Sequence, residues 1–452
     1  MDSMLIIDEV RLTPILISDP PLLNVQGVHQ PYTPRLIVEV ITRAGTTGLG
    51  ETYGDRVYLD LARPLADALP GHPVTDVNAL FELAGVGRAA AGERDGGASL
   101  SPAPGEKNAG ASSPPHAPVT EAGVDAAGLR GVRTADKLRL SVVSAFETAC
   151  LDALGKTLGL PVHALLGGKV RDSVEYSAYL FHRWAAHPGD GPTDDWGAAL
   201  DPAGVVAQAR RFDRLHGFRS FKLKGGVFPP EQEIATIRAL AEEFPGRPLR
   251  LDPNGAWSVD TSLAVAHELR DVLEYLEDPA SGTDAMAEIA ARTDVPLATN
   301  MCVTTFEEIP GAFAKDAVRI VLCDHHYWGG LHRTRELAAL CRTYGIGLSM
   351  HSNTHLGISL AAMTQVAATL PELHHACDTH YPWQTEDVVT PRPVFRAGRL
   401  PVSDAPGLGV RLDRRALAAL HRRWLTADVV LRDRDDTATI LSTHPTWTPP
   451  HW

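Results

Sequence analysis

Long apolar runs are missing from this chain, and none of its hydrophobic stretches is long enough to span a bilayer. The opening "MDSMLIIDEV" also lacks a basic segment followed by an apolar one, so neither a membrane anchor nor an export signal is indicated. A soluble, reducing, cytoplasmic setting is the expectation. Cysteine is scarce: Cys150, Cys302, Cys323, Cys341 and Cys377 are scattered, odd in number and without a CxxC pair. That pattern argues against a disulfide framework and against a thiolate zinc site. Positive charge is short as well. The formal net charge is -13, with no basic run to form a nucleic-acid surface. A small anionic substrate is not excluded, because a local site can oppose the global charge.

What the chain does have is bulk. Hydrophobic residues make up 44% of its 452 positions, enough for a large core in one to three domains. In the first third, "LIIDEVRLTPIL" and "RLIVEVITRAG" read as strands, with "AGTTGLGETYG" as turn and exit. Over residues 85–131 the composition shifts to Ala, Gly, Ser and Pro, which cannot bury enough apolar surface to offset ordering entropy, so a disordered insertion is expected. Its opening, "GVGRAA", fits GxGxxA. It follows the helix-like "NALFELA" instead of a strand, so a dinucleotide loop is not expected there. In "TADKLRLSVVSAFETACLDALGKTLG", Val142, Phe146, Cys150 and Leu154 recur at helical spacing, which predicts a helix at a domain junction.

From there a cadence sets in. Short apolar runs end in polar residues, each followed by a helix-like stretch: "VEYSAY", "FRSFKLK", "RPLRLDPN", "VLEYLED", "VPLATN", "AVRIVLCD", "GIGLSMH" and "LHHACDT". From Lys224 through Asp252, Glu277, Asn300 and Asp324 to His351, successive gaps run from 23 to 28 residues. One βα unit needs about that many, and about eight units make a (β/α)₈ barrel. Polar residues that end consecutive strands then converge on the barrel's C-terminal face.

The converging residues have a chemistry. Asp252, Glu277 and Asn300 are successive oxygen donors, a set suited to a hard divalent ion such as Mg²⁺. Taken singly, Asp252 and Asn254 also suit the cap of a turn, and Glu277 the cap of a helix. Asp324 and His351 end adjacent strands, so the carboxylate can orient the imidazole. Lys222 and Lys224 lie two apart and face one side of their strand. A metal with Lys222 can bind a carboxylate, and a lysine or histidine base can then remove the proton on the neighbouring carbon. If the next carbon bears a hydroxyl, His351 in its acid form can protonate it and water leaves.

Through "FKLKGG", "LDPNGAW", "LEDP", "ATNM", "SMHSNTHLGISLA", "CDTH" and "RDRDD" the chain resembles the enolase superfamily, and within it the glucarate dehydratase group. The resemblance implies an α/β fold, a modified (β/α)₈ TIM barrel with an α+β capping domain. The expected division is a cap over 1–135, a barrel over 136–400 and a returning C-terminal segment over 401–452. It implies Lys224 and His351 as two bases on opposite faces of the substrate, with Asp324 as partner of His351 and Lys222 assisting the carboxylate. Asp252, Glu277 and Asn300 become Mg²⁺ ligands. Substrate contacts fall on His29, Tyr179, Phe181, Lys222, Asn254, Asn353, His380 and Arg434, with Thr134 aligned only by shifting one residue. The implied reaction dehydrates a hexaric acid such as D-glucarate to the keto-deoxy product, 5-dehydro-4-deoxyglucarate. The partner implied is a small diacid sugar, with neither nucleic acid nor membrane, and a homo-oligomer is left open.

The chain also departs from the group. "DHHYWGG" stands where Pro-His-Phe-Trp is usual after the dyad aspartate, and Thr354 where a second Asn is usual. Three alternatives stay open: an epimerase or a dehydratase acting on another acid sugar, an aldolase forming a Schiff base at Lys224, and a barrel turned binding protein.

Overall fold

The computed structural model describes residues 2–87, 134–189 and 191–452. All but the first residues of the expected 85–131 insertion therefore lie outside the described residues. Among those first residues, Gly85 (φ 72°) closes the helix Val77–Ala84 and donates its N–H to Glu82, so it serves as a helix cap.

The N-terminal strands β1 (Ile7–Ser18), β2 (Tyr32–Thr42) and β3 (Thr47–Tyr53) form an antiparallel sheet in the order β1-β2-β3. Helices α1 (Arg56–Ala68) and α2 (Val77–Ala84) follow. β3 corrects the reading of "GLGETY" as an exit turn. Glycine weakens an isolated strand, yet here it is required by the next helix, α3 (Ala135–Leu158). A Cβ on Gly48 or Gly50 would stand 1.9 Å from the carbonyl oxygen of Ala149 or Ala145. The expected junction helix is thus pressed directly onto β3, with Thr52 Oγ1 donating to the Ser141 carbonyl and Leu49 N donating to Asp152.

All eight apolar runs become strands of one sheet. They are β4 (Ser173–Phe181), β5 (Phe221–Lys224), β6 (Leu249–Asp252), β7 (Leu273–Glu277), β8 (Leu297–Thr299), β9 (Ile320–Cys323), β10 (Gly347–Met350) and β11 (Cys377–Thr379). Neighbours pair in parallel from β4 to β10, and β11 pairs in parallel with β4. Between β10 and β11 a bridge from Leu348 to Leu373 nearly closes the barrel. The strands from β5 to β11 are short and almost wholly buried, as parallel strands covered on both faces must be.

Crossover helices begin and end on sequence signals. After β4, α4 (Pro202–His216) starts with Asp201 accepting from Gly204 N, carries Pro202 in its first turn, and ends at Gly217 (φ 69°). After β10, α5 (Gly357–Ala367) crosses to β11. The C-terminal helix α6 (Arg414–Thr426) lies on β1, where His421 and Arg423 donate to the Pro14 and Leu16 carbonyls. Beyond it, Asp436 accepts from Asn24 and from Gln30 N, so the tail closes against the N-terminal strands.

Candidate functional site

Parallel register sets the first part of the site. Phe181, Lys224 and Asp252 stand side by side on β4, β5 and β6. The Lys224 ammonium donates to Asp252 Oδ2, and Lys222 Nζ donates to Glu277 Oε2 at 2.6 Å and to Asp378 Oδ2 at 2.5 Å. Both ammonium groups face the Tyr179 ring, 4.6 and 5.1 Å from its centroid. Two like charges in a buried strand are therefore offset by three carboxylates. Burial pulls the Lys222 ammonium down, but Asp378, Glu277 and Asp252 together hold its pKa above the ordinary lysine value.

The strand is aimed by its Gly-Gly exit. A Cβ on Gly225 would lie 2.4 Å from Glu233 Oε2, and the Glu233 carboxylate accepts from the N–H groups of Gly226, Val227 and Phe228. Burial raises the Glu233 pKa to about 7 against those three donors.

Asp252, Glu277 and Asn300 end β6, β7 and β8 and are at most 1% exposed. Glu277 Oε1 and both side-chain polar atoms of Asn300 find no hydrogen-bond partner among the described residues. Buried polar groups are rarely left so. Burial and the adjacent Asp252 carboxylate push the Glu277 pKa well above the ordinary range. Burial also raises Asp252, but Lys224 and Lys222 outweigh it and leave it low. Crowded carboxylates, one with an orphaned oxygen, beside an orphaned amide suit a hard divalent cation, so the donor set fits Mg²⁺. The turn-cap reading holds in part too, since Asp252 Oδ1 accepts from Asn254 N at 3.0 Å and from its side-chain amide. Glu277 caps no helix; the next one begins after Gly282.

At the ends of β9 and β10, His351 Nδ1 lies 3.2 Å from Asp324 Oδ2. Burial, opposed by Asp324 and reinforced by the Lys224 and Lys222 charges, lowers the His351 pKa to about 4. Asp324 is pushed up by its own burial, but the surrounding imidazoles, His355 and His326 first, bring it well below the carboxylate range.

One pocket is lined by Lys224, His351, His29, Tyr179, Phe181, Asn254, Asn353, His380 and Arg434, together with Asn24 and Ser352. Arg434 reaches it from the C-terminal tail, buried, with Nη1 donating to Thr354 Oγ1 at 3.3 Å and Nη2 lying 3.3 Å from His29 Nδ1. The rings of His29 and His380 stack at 6.2 Å, and His380 Nε2 has no hydrogen-bond partner among the described residues. The cavity measures 30 Å³, room for about one water, so any larger molecule binds here only by parting the lining groups.

Two expected contacts, Lys222 and Thr134, do not line this pocket. Lys222 is turned onto Glu277 and Asp378. Thr134 lies elsewhere, exposed and capping α3, its hydroxyl accepting from Lys137 N at 3.2 Å. Three carboxylates went unread in the sequence. Asp378, two residues before His380, ties Lys222 to Arg250. Asp278, beside Glu277, accepts from Asn300 N at 2.8 Å and so sets the Asn300 backbone. Asp19 is buried against His29, Thr33 and Arg434. "CDTH" and "LEDP" hold the first two, whereas nothing local marks Asp19.

The family model "Enolase C-terminal domain-like" matches residues 204–416. A curated relative from Streptomyces coelicolor, a probable glucarate dehydratase, is 67% identical across 100% of this chain and 99% of its own. Among solved structures, an enolase from Thermobispora bispora complexed with magnesium and formate is 50% identical, with TM-score 0.88 and 99% of both chains covered. An enolase from Pseudomonas fluorescens with bound magnesium, potassium and tartrate is 44% identical, with TM-score 0.87 and 98% of both chains covered.

Proposed function

The chain belongs to the enolase superfamily, in its glucarate dehydratase group, and is a hydro-lyase for an acid sugar; from that premise we propose that it dehydrates a hexaric acid, D-glucarate or a close diacid, to the 5-dehydro-4-deoxy product. The observation that carries the reading is that Lys224 and His351 line one pocket, His351 held 3.2 Å from Asp324 and Lys224 bonded to Asp252, in a donor set where Glu277 Oε1 and the Asn300 amide are unsatisfied. Magnesium bound by relatives of this chain supports Mg²⁺ as the ion.

In this proposal Asp252, Glu277 and Asn300 hold Mg²⁺, which supplies positive charge where a substrate carboxylate binds. Lys222, kept cationic by its carboxylate neighbours, adds a fixed charge beside it. Lys224 and His351 each accept the proton next to that carboxylate, one from each face and so from different epimers. His351 is neutral above a pKa of about 4, so it is ready as a base at neutral pH. Carrying a proton, it becomes the acid that helps the β-hydroxyl leave as water. Arg434 and His29, at the far side of the pocket, meet the distal carboxylate, for which a guanidinium fork is the matched partner. His380 Nε2 and Asn353 bind hydroxyls between the two ends. The cap and tail select the substrate, while the barrel performs the chemistry.

The deciding experiment incubates the protein with Mg²⁺ and a panel of aldarates and aldonates, following keto-acid formation and α-proton exchange in D₂O. Keto-acid release from a hexarate is expected. Exclusive epimerisation of glucarate and idarate would make the protein an epimerase. Activity that survives metal stripping and is trapped by borohydride would point to Schiff-base chemistry at Lys224.

A further inference from the structure

We propose that Asp324, His325, His326 and His355 form a second metal site, for a borderline transition ion such as Zn²⁺, and that filling it withdraws the Asp324 carboxylate from His351. The four residues are at most 1% exposed, and one potential ligand atom from each lies within 4.8 Å of all the others. His326 Nδ1, His355 Nε2 and His325 Nδ1 stand 2.8, 3.4 and 3.9 Å from Asp324 oxygens. Bonds of about 2.0–2.1 Å in a tetrahedral zinc site hold ligand atoms roughly 3.3 Å apart, within that spread.

The nitrogens are short of partners. Among the described residues, His325 Nδ1 and both ring nitrogens of His355 make no well-aligned hydrogen bond, although both residues are buried. His326 shows the outer contact typical of a metal-bound histidine. Its Nε2 lies 3.0 Å from the Glu51 backbone carbonyl, which can only accept, and 3.1 Å from the Ser359 hydroxyl. A ring that donates Nε2–H to a carbonyl offers Nδ1 to an ion.

Donor chemistry separates this site from the one at the ends of β6, β7 and β8. Three imidazoles and one carboxylate favour zinc, nickel or copper, whereas carboxylates with an amide oxygen favour magnesium. The proposed dehydration gives His325 no task. Asp324 Oδ2 is shared, lying 3.2 Å from His351 and 3.4 Å from His355. An ion drawing on Asp324 therefore competes with the dyad.

The test uses full-length protein saturated with Mg²⁺, titrated with Zn²⁺ and separately with Co²⁺ as a spectroscopic probe. The expected result is one ion per chain that excess Mg²⁺ does not displace, with the strong visible absorption of four-coordinate cobalt. Turnover should fall in step with zinc occupancy. His325→Ala, and His325→Phe as a ring-retaining control for folding, should keep turnover with Mg²⁺ and bind Zn²⁺ at least about tenfold more weakly. Complete displacement by Mg²⁺, a weak six-coordinate cobalt spectrum, or unchanged zinc affinity in both folded variants would overturn the site. Stoichiometry and spectrum do not depend on the dehydratase reading, so failure of either idea is seen separately.

Discussion

His351 lines the pocket in an environment far from that of an ordinary imidazole. Its folded pKa of about 4 lies below the usual 6.5, so the base form persists as pH falls through 6 and 5. Rate limited by this base should therefore rise as pH passes about 4 and be flat through 6.5. A kcat/KM profile on the substrate epimer that presents its proton to His351 checks this, and an acid limb at 6.5 would contradict it. In His351→Ala, exchange of that epimer should drop by about 10²–10⁴-fold while the opposite epimer still exchanges through Lys224. Equal loss from both epimers, read by NMR in D₂O, would count against two bases. Asp252 makes a different kind of claim. Its carboxylate holds Lys224 and Asn254 as well as belonging to the donor set. Asp252→Ala should abolish turnover and weaken Mn²⁺ binding, a Mg²⁺ surrogate, by at least about tenfold. Unchanged Mn²⁺ affinity, measured by electron paramagnetic resonance, would remove Asp252 from the metal set.

At the scale of elements, the start of α5 depends on a residue of β3. Glu51 accepts from Leu356 N and Ser359 N at 2.8 and 2.9 Å, and the fully buried Arg35 holds the same carboxylate at 2.7 Å. The segment so pinned begins five residues after His351. Glu51→Gln leaves Arg35 charged and unpaired, a loss of about 3–5 kcal/mol, while Arg35→Met with Glu51→Gln should recover much of it. Urea unfolding measures both variants, and a change below about 1 kcal/mol in the single variant would refute the interlock. This dependence also explains what sequence could and could not reveal. Each barrel strand ends in its own polar residue at βα spacing, so Lys224, Asp252, Glu277, Asn300, Asp324 and His351 were legible from local pattern and cadence. Glu51 meets Leu356 across 305 positions, and Asp19 meets Arg434 from the opposite end of the chain. No periodicity links such pairs. "GLGETY" misled for the same reason: its glycines answer to α3, which is separated from it in sequence, and not to a turn.

The whole molecule closes on Arg434. The segment between β1 and β2 supplies Asp19 and His29, the barrel supplies Thr354 and His380, and the tail supplies Arg434, so this wall of the pocket exists only when three parts of the chain meet. Inside this wall Thr354 takes a left-handed conformation (φ 52°), which costs a β-branched residue more than the asparagine usual there. Its hydroxyl nevertheless accepts from Arg434, which links that departure to the arginine's position. Arg434 is held by contacts on several sides, including its backbone N–H donating to Asp55 at 2.8 Å, so its guanidinium is ordered before substrate arrives. If it receives the distal carboxylate, Arg434→Lys keeps the charge but loses the fork. KM for a hexarate should then rise on the order of 10- to 100-fold, corresponding to about 1.4–2.8 kcal/mol. A monocarboxylic aldonate, having no distal carboxylate, should show the same weak turnover in both proteins. Steady-state kinetics on the two substrate classes separates recognition from folding, because a merely structural arginine would impair both alike. Equal impairment would return Arg434 to a role in closing the tail and leave the distal carboxylate to His29.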